Sequence, residues 1–161
     1  MIVIVMGVVG AGKTTVGQLL ADELGWEFAD ADDYHCAVNV EKIRRGIGLT
    51  DADRAPWLQT LHHAIVQWIE SGQNVVLACS ALKRSYRQEL AAGPEVKFVY
   101  LKGSAALIAE RLRARRGHFA NEEILNSQLH DLEEPESALT VEIADTPQQV
   151  VRFIRKRLRL E

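Results

Sequence analysis

The sequence predicts an α/β fold with a five-stranded parallel sheet and helices on both of its faces. Two observations predict it. Short apolar runs alternate along the chain with stretches of helical periodicity, which implies right-handed crossover connections between parallel strands. The first run, Ile2-Val3-Ile4-Val5-Met6, is β-branched and carries no polar alternation, as a strand covered on both faces requires.

The elements follow in order. Lys13 to Leu24 places Val16, Leu19, Leu20 and Leu24 on one helical stripe closed by Gly25, a residue suited to a left-handed helix end. Trp26 to Ala29 reads as a short second strand. From Asp53 to Ser71, Trp57, Leu58, Leu61, Ile65, Trp68 and Ile69 recur at helical spacing. Thr50 and Asp51 offer caps, Pro56 fits in the first turn, and Gly72 ends the helix. Asn74–Cys79, Val96–Leu101 and Val141–Ala144 read as the remaining strands. Helices are expected over Lys83–Ala91, Ala105–Arg115, Glu122–Leu132 and Pro147–Leu158.

No repeat, low-complexity stretch or Pro/Ser linker divides the chain, so residues 1–161 read as a single domain. With 47% hydrophobic and 25% charged residues, the composition is that of a folded globular protein and excludes disorder. A net charge of −3 offers no global field for nucleic acid or an anionic membrane. Cys36 and Cys79 are the only cysteines. Without metal-ligand spacing they point to a reducing compartment and against a structural zinc site. No run reaches the ~20 apolar residues of a membrane span, and a cytoplasmic protein is expected.

Gly7-Val8-Val9-Gly10-Ala11-Gly12-Lys13-Thr14 fits G-x4-G-K-[ST], and it joins a buried strand to the start of a helix, the context that a phosphate-binding loop needs. Glycines there turn successive N–H groups inward, and the helix N-terminus adds to the anion cradle. Lys13 is expected to bridge the β- and γ-phosphates, the Thr14 hydroxyl to ligate Mg²⁺, and Thr15 to reach the α-phosphate.

The third strand ends in Cys79-Ser80 with no acid, unlike motors and GTPases, and no NKxD signature is present. Acids gather instead after the second strand, at Asp30, Asp32 and Asp33. Like charges this dense suit a cation, a hydroxyl to orient or a shared proton. On a strand-like tip Asp30 and Asp32 would face the same side, and either is placed to reach Mg²⁺. This pattern suits a small-molecule kinase, in which an Asp orients and deprotonates the accepting hydroxyl. Arg54, Lys83 and Arg84 follow element boundaries and suit an anionic substrate. Arg111, Arg113, Arg115 and Arg116 exceed what a helix C-terminus needs and suggest a lid closing on phosphates, spanning about residues 113–133.

Longer strings carry a resemblance. They are MGVVGAGKTT (Met6–Thr15), DADDYH (Asp30–His35), Leu49-Thr50-Asp51 with Asp53-Arg54 and Pro56-Trp57-Leu58, Cys79-Ser80-Ala81-Leu82-Lys83, Tyr86-Arg87, His118-Phe119 and Ser127-Gln128. Together they resemble the gluconokinase family, small P-loop kinases related to shikimate kinase. The resemblance implies a three-layer P-loop NTPase fold of the nucleoside/shikimate kinase type with a helical lid. It also implies ATP-dependent phosphorylation of D-gluconate at the 6-hydroxyl, with ATP and Mg²⁺ required, and a homodimer.

Carried onto this sequence, the resemblance makes Lys13, Asp32 and Arg115 the catalytic set, with Asp32 the acceptor-side base. Thr14 and Asp30 fall to the metal. His35, Arg54, Lys83 and Gln128 join Asp32 around the sugar acid. Arg111 and Pro147 join the loop residues Gly7 to Thr15 on the nucleotide, and His118 falls on the lid. The family's usual D-G-D-D-F-H-P is here Asp30 to Cys36 with Ala31 and Cys36 for Gly and Pro, and Gly48 stands for a usual Pro. Two alternatives remain. A kinase for another polyol acid such as shikimate would carry a glycine triplet where Ser80-Ala81-Leu82 stands, and an ATP-binding regulator would bind without turnover.

Overall fold

The computed structural model describes residues 1–116 and 120–161. Strand β1 (Ile2–Met6) has all five residues fully buried. Its alternating side chains feed two cores. Val3 and Val5 pack on the side of α1 (Lys13–Leu24), while Ile2, Ile4 and Met6 pack toward α3 (Asp51–Glu70). Burying one such side chain is worth about 1.5–3 kcal/mol, so an uninterrupted apolar run belongs at the centre of a covered sheet.

The other strands are β2 (Glu27–Asp30), β3 (Val75–Ala78), β4 (Val96–Lys102) and β5 (Leu139–Glu142). All pair in parallel, in the order β2-β3-β1-β4-β5. The chain leaves β1 for one edge, returns beside it, then crosses to the other side. Strand order therefore reverses at β1, and ligand crevices open beyond the carboxyl ends of strands at such a reversal.

Most helices match the expected ranges. Those remaining are α4 (Arg84–Leu90), α5 (Ala105–Arg116), α6 (Ala120–Asp131) and α7 (Pro147–Leu158). Gly25 closes α1 with φ 67°. Within α1, a Cβ on Gly17 would lie 2.9 Å from the Phe28 ring, so glycine lets the helix close onto β2. Thr146 and Gln149 form a capping box on α7, with Pro147 at the first helical position. No helix among the described residues is long and apolar enough to cross a membrane.

Three expectations are corrected, and one helix was missed. Helix α2 (Ala37–Arg44) was not predicted, because its apolar residues Val38, Val40 and Ile43 remain exposed and leave no buried stripe to read. Helix α3 begins at Asp51, since Thr50 and Asp53 form its capping box; Pro56 therefore sits in the second turn and leaves the Ala52 carbonyl without its helical donor. Strand β5 starts and ends two residues earlier than read. Asp30 and Asp32 do not share a face of an extended tip. Asp30 ends β2 and caps a 3₁₀ turn over Ala31–Tyr34, its Oδ1 accepting the Asp32 N–H at 3.0 Å.

Candidate active site

The loop between β1 and α1 is built by its glycines. Gly10 and Gly12 have φ of +82° and +98°, a region costly for residues with a Cβ. A Cβ on Gly10 would also stand 2.7 Å from Leu112 of α5, so this glycine admits the helix above the loop. Val8 and Ala11 are buried beneath, in the core. The Gly7 N–H donates to the Ser80 carbonyl at 3.3 Å, tying the loop to the end of β3. The Lys13 ammonium curls over the loop and donates to the Val8 carbonyl at 3.0 Å. Burial lowers its pKa, opposed by the charges of Asp32 and Asp30.

Three cavities meet at this loop. The largest, about 590 Å³, lies between Gly10, Gly12 and Thr15 on one side and Arg111, Asp145 and Pro147 on the other. The Arg111 guanidinium donates to the Ile143 carbonyl at 2.5 Å, joining α5 to the segment that carries Asp145 and Pro147. Next comes a cavity of about 130 Å³ lined by Lys13, Thr14, Thr15, Asp30, Asp32 and Arg115. A third, about 180 Å³, is bounded by His35, Arg54, Trp57, Gln128, and the shared Lys13 and Asp32. It is smaller than the about 300–1,000 Å³ of pockets for drug-sized ligands, which suits a compact acceptor. Arg115 borders the first two cavities, and Lys13 and Asp32 border the last two.

The acids divide accordingly. Thr14 Oγ1 donates to Asp30 Oδ2 at 3.2 Å. A hydroxyl and one carboxylate are the hard oxygen donors that Mg²⁺ takes from protein when phosphates and water complete its octahedron, so these residues fit that ion. Asp32 is held above the ordinary carboxylate range, by burial first and then by the charge of Asp30.

On the acceptor side, His35 stacks on Trp57 with ring centroids 4.3 Å apart. Burial and the nearby Arg54 push its pKa down to about 4, so the imidazole is neutral. Arg54 is buried and donates from Nη1 to the Tyr86 hydroxyl at 3.0 Å and to Asp131 Oδ2 at 3.1 Å. Burial opposes its charge, and these two partners outweigh burial to hold its pKa above the ordinary value. Gln128, on α6, accepts the Val9 N–H.

Lys83 is corrected. It does not line the acceptor cavity; its ammonium is held by both oxygens of Asp51, at 2.9 and 3.1 Å. His118 lies outside the described residues. Cys79 is buried, and its thiol is pushed up to about 12, chiefly by burial, which leaves it inert. Sequence reasoning missed Trp57 as a site residue. Its indole N–H donates to the Ala31 carbonyl at 2.7 Å, fixing the turn that carries Asp32. The Pro-Trp-Leu string carried that signal, but helical periodicity assigned it to the core. Gly48 and Ser127 were also missed; a Cβ on Gly48 would fall 2.7 Å from Ser127 Oγ across the acceptor cavity.

A phosphate loop opening on one side to a large cavity and on the other to a small one is the layout of a P-loop small-molecule kinase. A family model described as an AAA domain matches residues 2–135. A gluconokinase of Gluconobacter oxydans (strain 621H) is 48% identical over 133 residues, covering 82% of this chain and 75% of its own. The crystal structure of a gluconokinase from Sinorhizobium meliloti 1021 superposes with a TM-score of 0.84 at 38% identity, covering 98% of this chain and 94% of that one. The chain belongs to the gluconokinase family. A shikimate kinase from Aquifex aeolicus, at 17% identity and TM-score 0.62 over 99% of this chain and 96% of its own, shares the fold.

Proposed function

We propose that this protein transfers the γ-phosphoryl group of ATP to the 6-hydroxyl of D-gluconate. The observation that carries the reading is the pair Lys13 and Asp32, which stands at the junction of the phosphate cavity and the small acceptor cavity. A hydroxyl entering from the acceptor side meets Asp32 as it approaches the phosphate loop.

In this reading the 590 Å³ cavity receives the nucleoside, with Arg111 and Pro147 against the base, and the loop from Gly7 to Thr15 receives the phosphates. Thr14 and Asp30 hold Mg²⁺, which when bound neutralises charge on the phosphate oxygens. Asp32 orients the accepting hydroxyl and takes its proton as the oxygen–phosphorus bond forms and the bond to the β-phosphate breaks. Its raised pKa brings it closer to the task than an ordinary carboxylate. Lys13 and Arg115 face the charge that develops on the transferring group. Arg54 receives the acid's carboxylate, and His35 and Gln128 receive hydroxyls. The arm of α5 and α6 acts as the lid, keeping water from a transferable phosphoryl group.

An ADP-release assay across gluconate, other aldonates, shikimate and nucleoside monophosphates tests this directly. Turnover is expected with gluconate. Turnover with another acceptor and only background ATP hydrolysis with gluconate would overturn the assignment.

A further inference from the structure

Two motifs named by the sequence, Leu49-Thr50-Asp51 and Tyr86-Arg87, contribute Asp51 and Tyr86, which lie outside the lining of the three cavities at the phosphate loop. They meet behind Arg54. Lys83 donates to the Asp51 carboxylate, Tyr86 donates its hydroxyl proton to Asp51 Oδ1, and Arg54 Nη1 donates to the Tyr86 oxygen. We propose that Tyr86 is a positioning residue for acceptor recognition: Asp51 fixes its hydroxyl so that a lone pair faces Arg54, and Arg54 is thereby aimed at the substrate's carboxylate. The proposal rests on Arg54 being the carboxylate's partner.

A phenol has a single proton to donate. Asp51, kept ionised by its bonds to Tyr86 and Lys83, accepts the hydrogen bond that this proton makes, and the oxygen is left an acceptor on the side of Arg54. Burial and the bond to Asp51 keep the Tyr86 hydroxyl protonated. Asp131, from the end of α6, binds the same Nη1 from a second direction. Both anchors therefore use one nitrogen. Among the described residues Nε and Nη2 of Arg54 have no hydrogen-bond partner, and the side chain borders the acceptor cavity. A guanidinium held by one nitrogen keeps the fork that matches a carboxylate in two parallel bonds. Lys83 and Asp51 are exposed enough to cost little as an ion pair; their effect is to orient a buried hydroxyl.

Steady-state kinetics with D-gluconate and with D-gluconamide, its neutral amide, test the relay. Tyr86→Phe is expected to raise the gluconate KM about tenfold, the worth of a hydrogen bond to a charged group, with kcat and the ATP KM within about twofold and the gluconamide kcat/KM unchanged. Asp51→Ala is expected to act in the same direction, and the Tyr86→Phe/Asp51→Ala double variant to be no worse than Tyr86→Phe alone, because Asp51 works through the hydroxyl. Equal losses for gluconate and gluconamide, or additive losses in the double variant, would make Tyr86 a packing residue and overturn the proposal. Arg54→Ala separates the premise. It is expected to abolish the preference for gluconate over gluconamide; if the preference survives, the carboxylate assignment of Arg54 falls and the relay with it.

Discussion

The side-chain oxygen of Gln128 accepts the backbone N–H of Val9 at 2.7 Å, linking the end of α6 to the phosphate loop across 119 residues of chain. A backbone N–H is satisfied only by the oxygen of a carboxamide, so this bond also fixes which way the amide points. The NH₂ group is turned from the loop, and Gln128 borders the acceptor cavity. One residue thus holds a loop donor and offers two donors elsewhere. Gln128→Leu removes both and leaves a partly buried N–H unpaired, a loss of about 1–3 kcal/mol. The expected outcome in the coupled assay is a roughly 10- to 100-fold lower kcat/KM for gluconate, with a smaller loss in acceptor-free ATP hydrolysis because the loop also loses its bond at Val9. An unchanged kcat/KM would remove Gln128 from the acceptor site.

Asp32 carries a stability cost in the fold. Its carboxyl is raised by burial and by Asp30, so above its folded pKa the ionised form is disfavoured in the folded protein relative to the unfolded chain. A raised carboxylate pKa destabilises the fold at neutral pH, and the penalty disappears below the unfolded value, where both states are protonated. Asp32→Asn is therefore expected to melt at a higher temperature than wild type at pH 7, with the difference shrinking toward pH 4. The same variant should lose about 10²- to 10⁴-fold in kcat with ATP affinity nearly intact. Titration calorimetry with ATP and thermal melts across pH check both halves, and a parallel loss of ATP affinity would move Asp32 to the metal.

The sequence made the scaffold of this site legible and its wiring much less so. β1, α1 and α7 have the bounds that apolar runs and caps predict. Their burial is set by local periodicity, so a one-dimensional pattern suffices. Spacing alone did not separate the placements of Asp30 and Asp32, because they depend on a 3₁₀ turn whose only local sign is an Asp capping its own chain two residues on. Helix α2 was missed for a related reason, since exposed Val38, Val40 and Ile43 carry no core-facing stripe. Lys83 was misread because a cation near a pocket and a cation bound to an acid 32 residues away look alike in sequence. Partner choice is a tertiary property, and spacing does not encode it.

Gly10 joins backbone conformation to packing. Its φ of +82° resists any Cβ, and an added methyl would stand 2.7 and 2.9 Å from two carbons of Leu112. Gly10→Ala is therefore expected to cost about 1–3 kcal/mol through strain and overpacking and to weaken nucleotide binding. Leu112 is itself a buried core residue, so Leu112→Ala should cost less in the Gly10→Ala background, where it opens space, than in the wild-type protein, but the left-handed strain stays and ATP affinity should remain low. Denaturant midpoints and ATP titrations of the single and double variants measure the two contributions. Full recovery of ATP affinity in the double variant would assign the effect to packing alone.

His35, stacked on Trp57, is kept neutral by burial and by Arg54. With a folded pKa of about 4 against an ordinary value near 6.5, the folded protein binds fewer protons than the unfolded chain between those limits. Stability from this group is therefore fully present above pH ~6.5, falls as pH drops through the window, and levels off once the folded-state histidine itself protonates. His35→Gln removes a group that must charge on unfolding, so its stability is expected to depend less steeply on pH between 6.5 and 4. Denaturation midpoints of wild type and variant at half-unit pH steps give the comparison. Parallel slopes for the two proteins would show that His35 titrates normally in the fold and that burial and Arg54 do not hold it neutral.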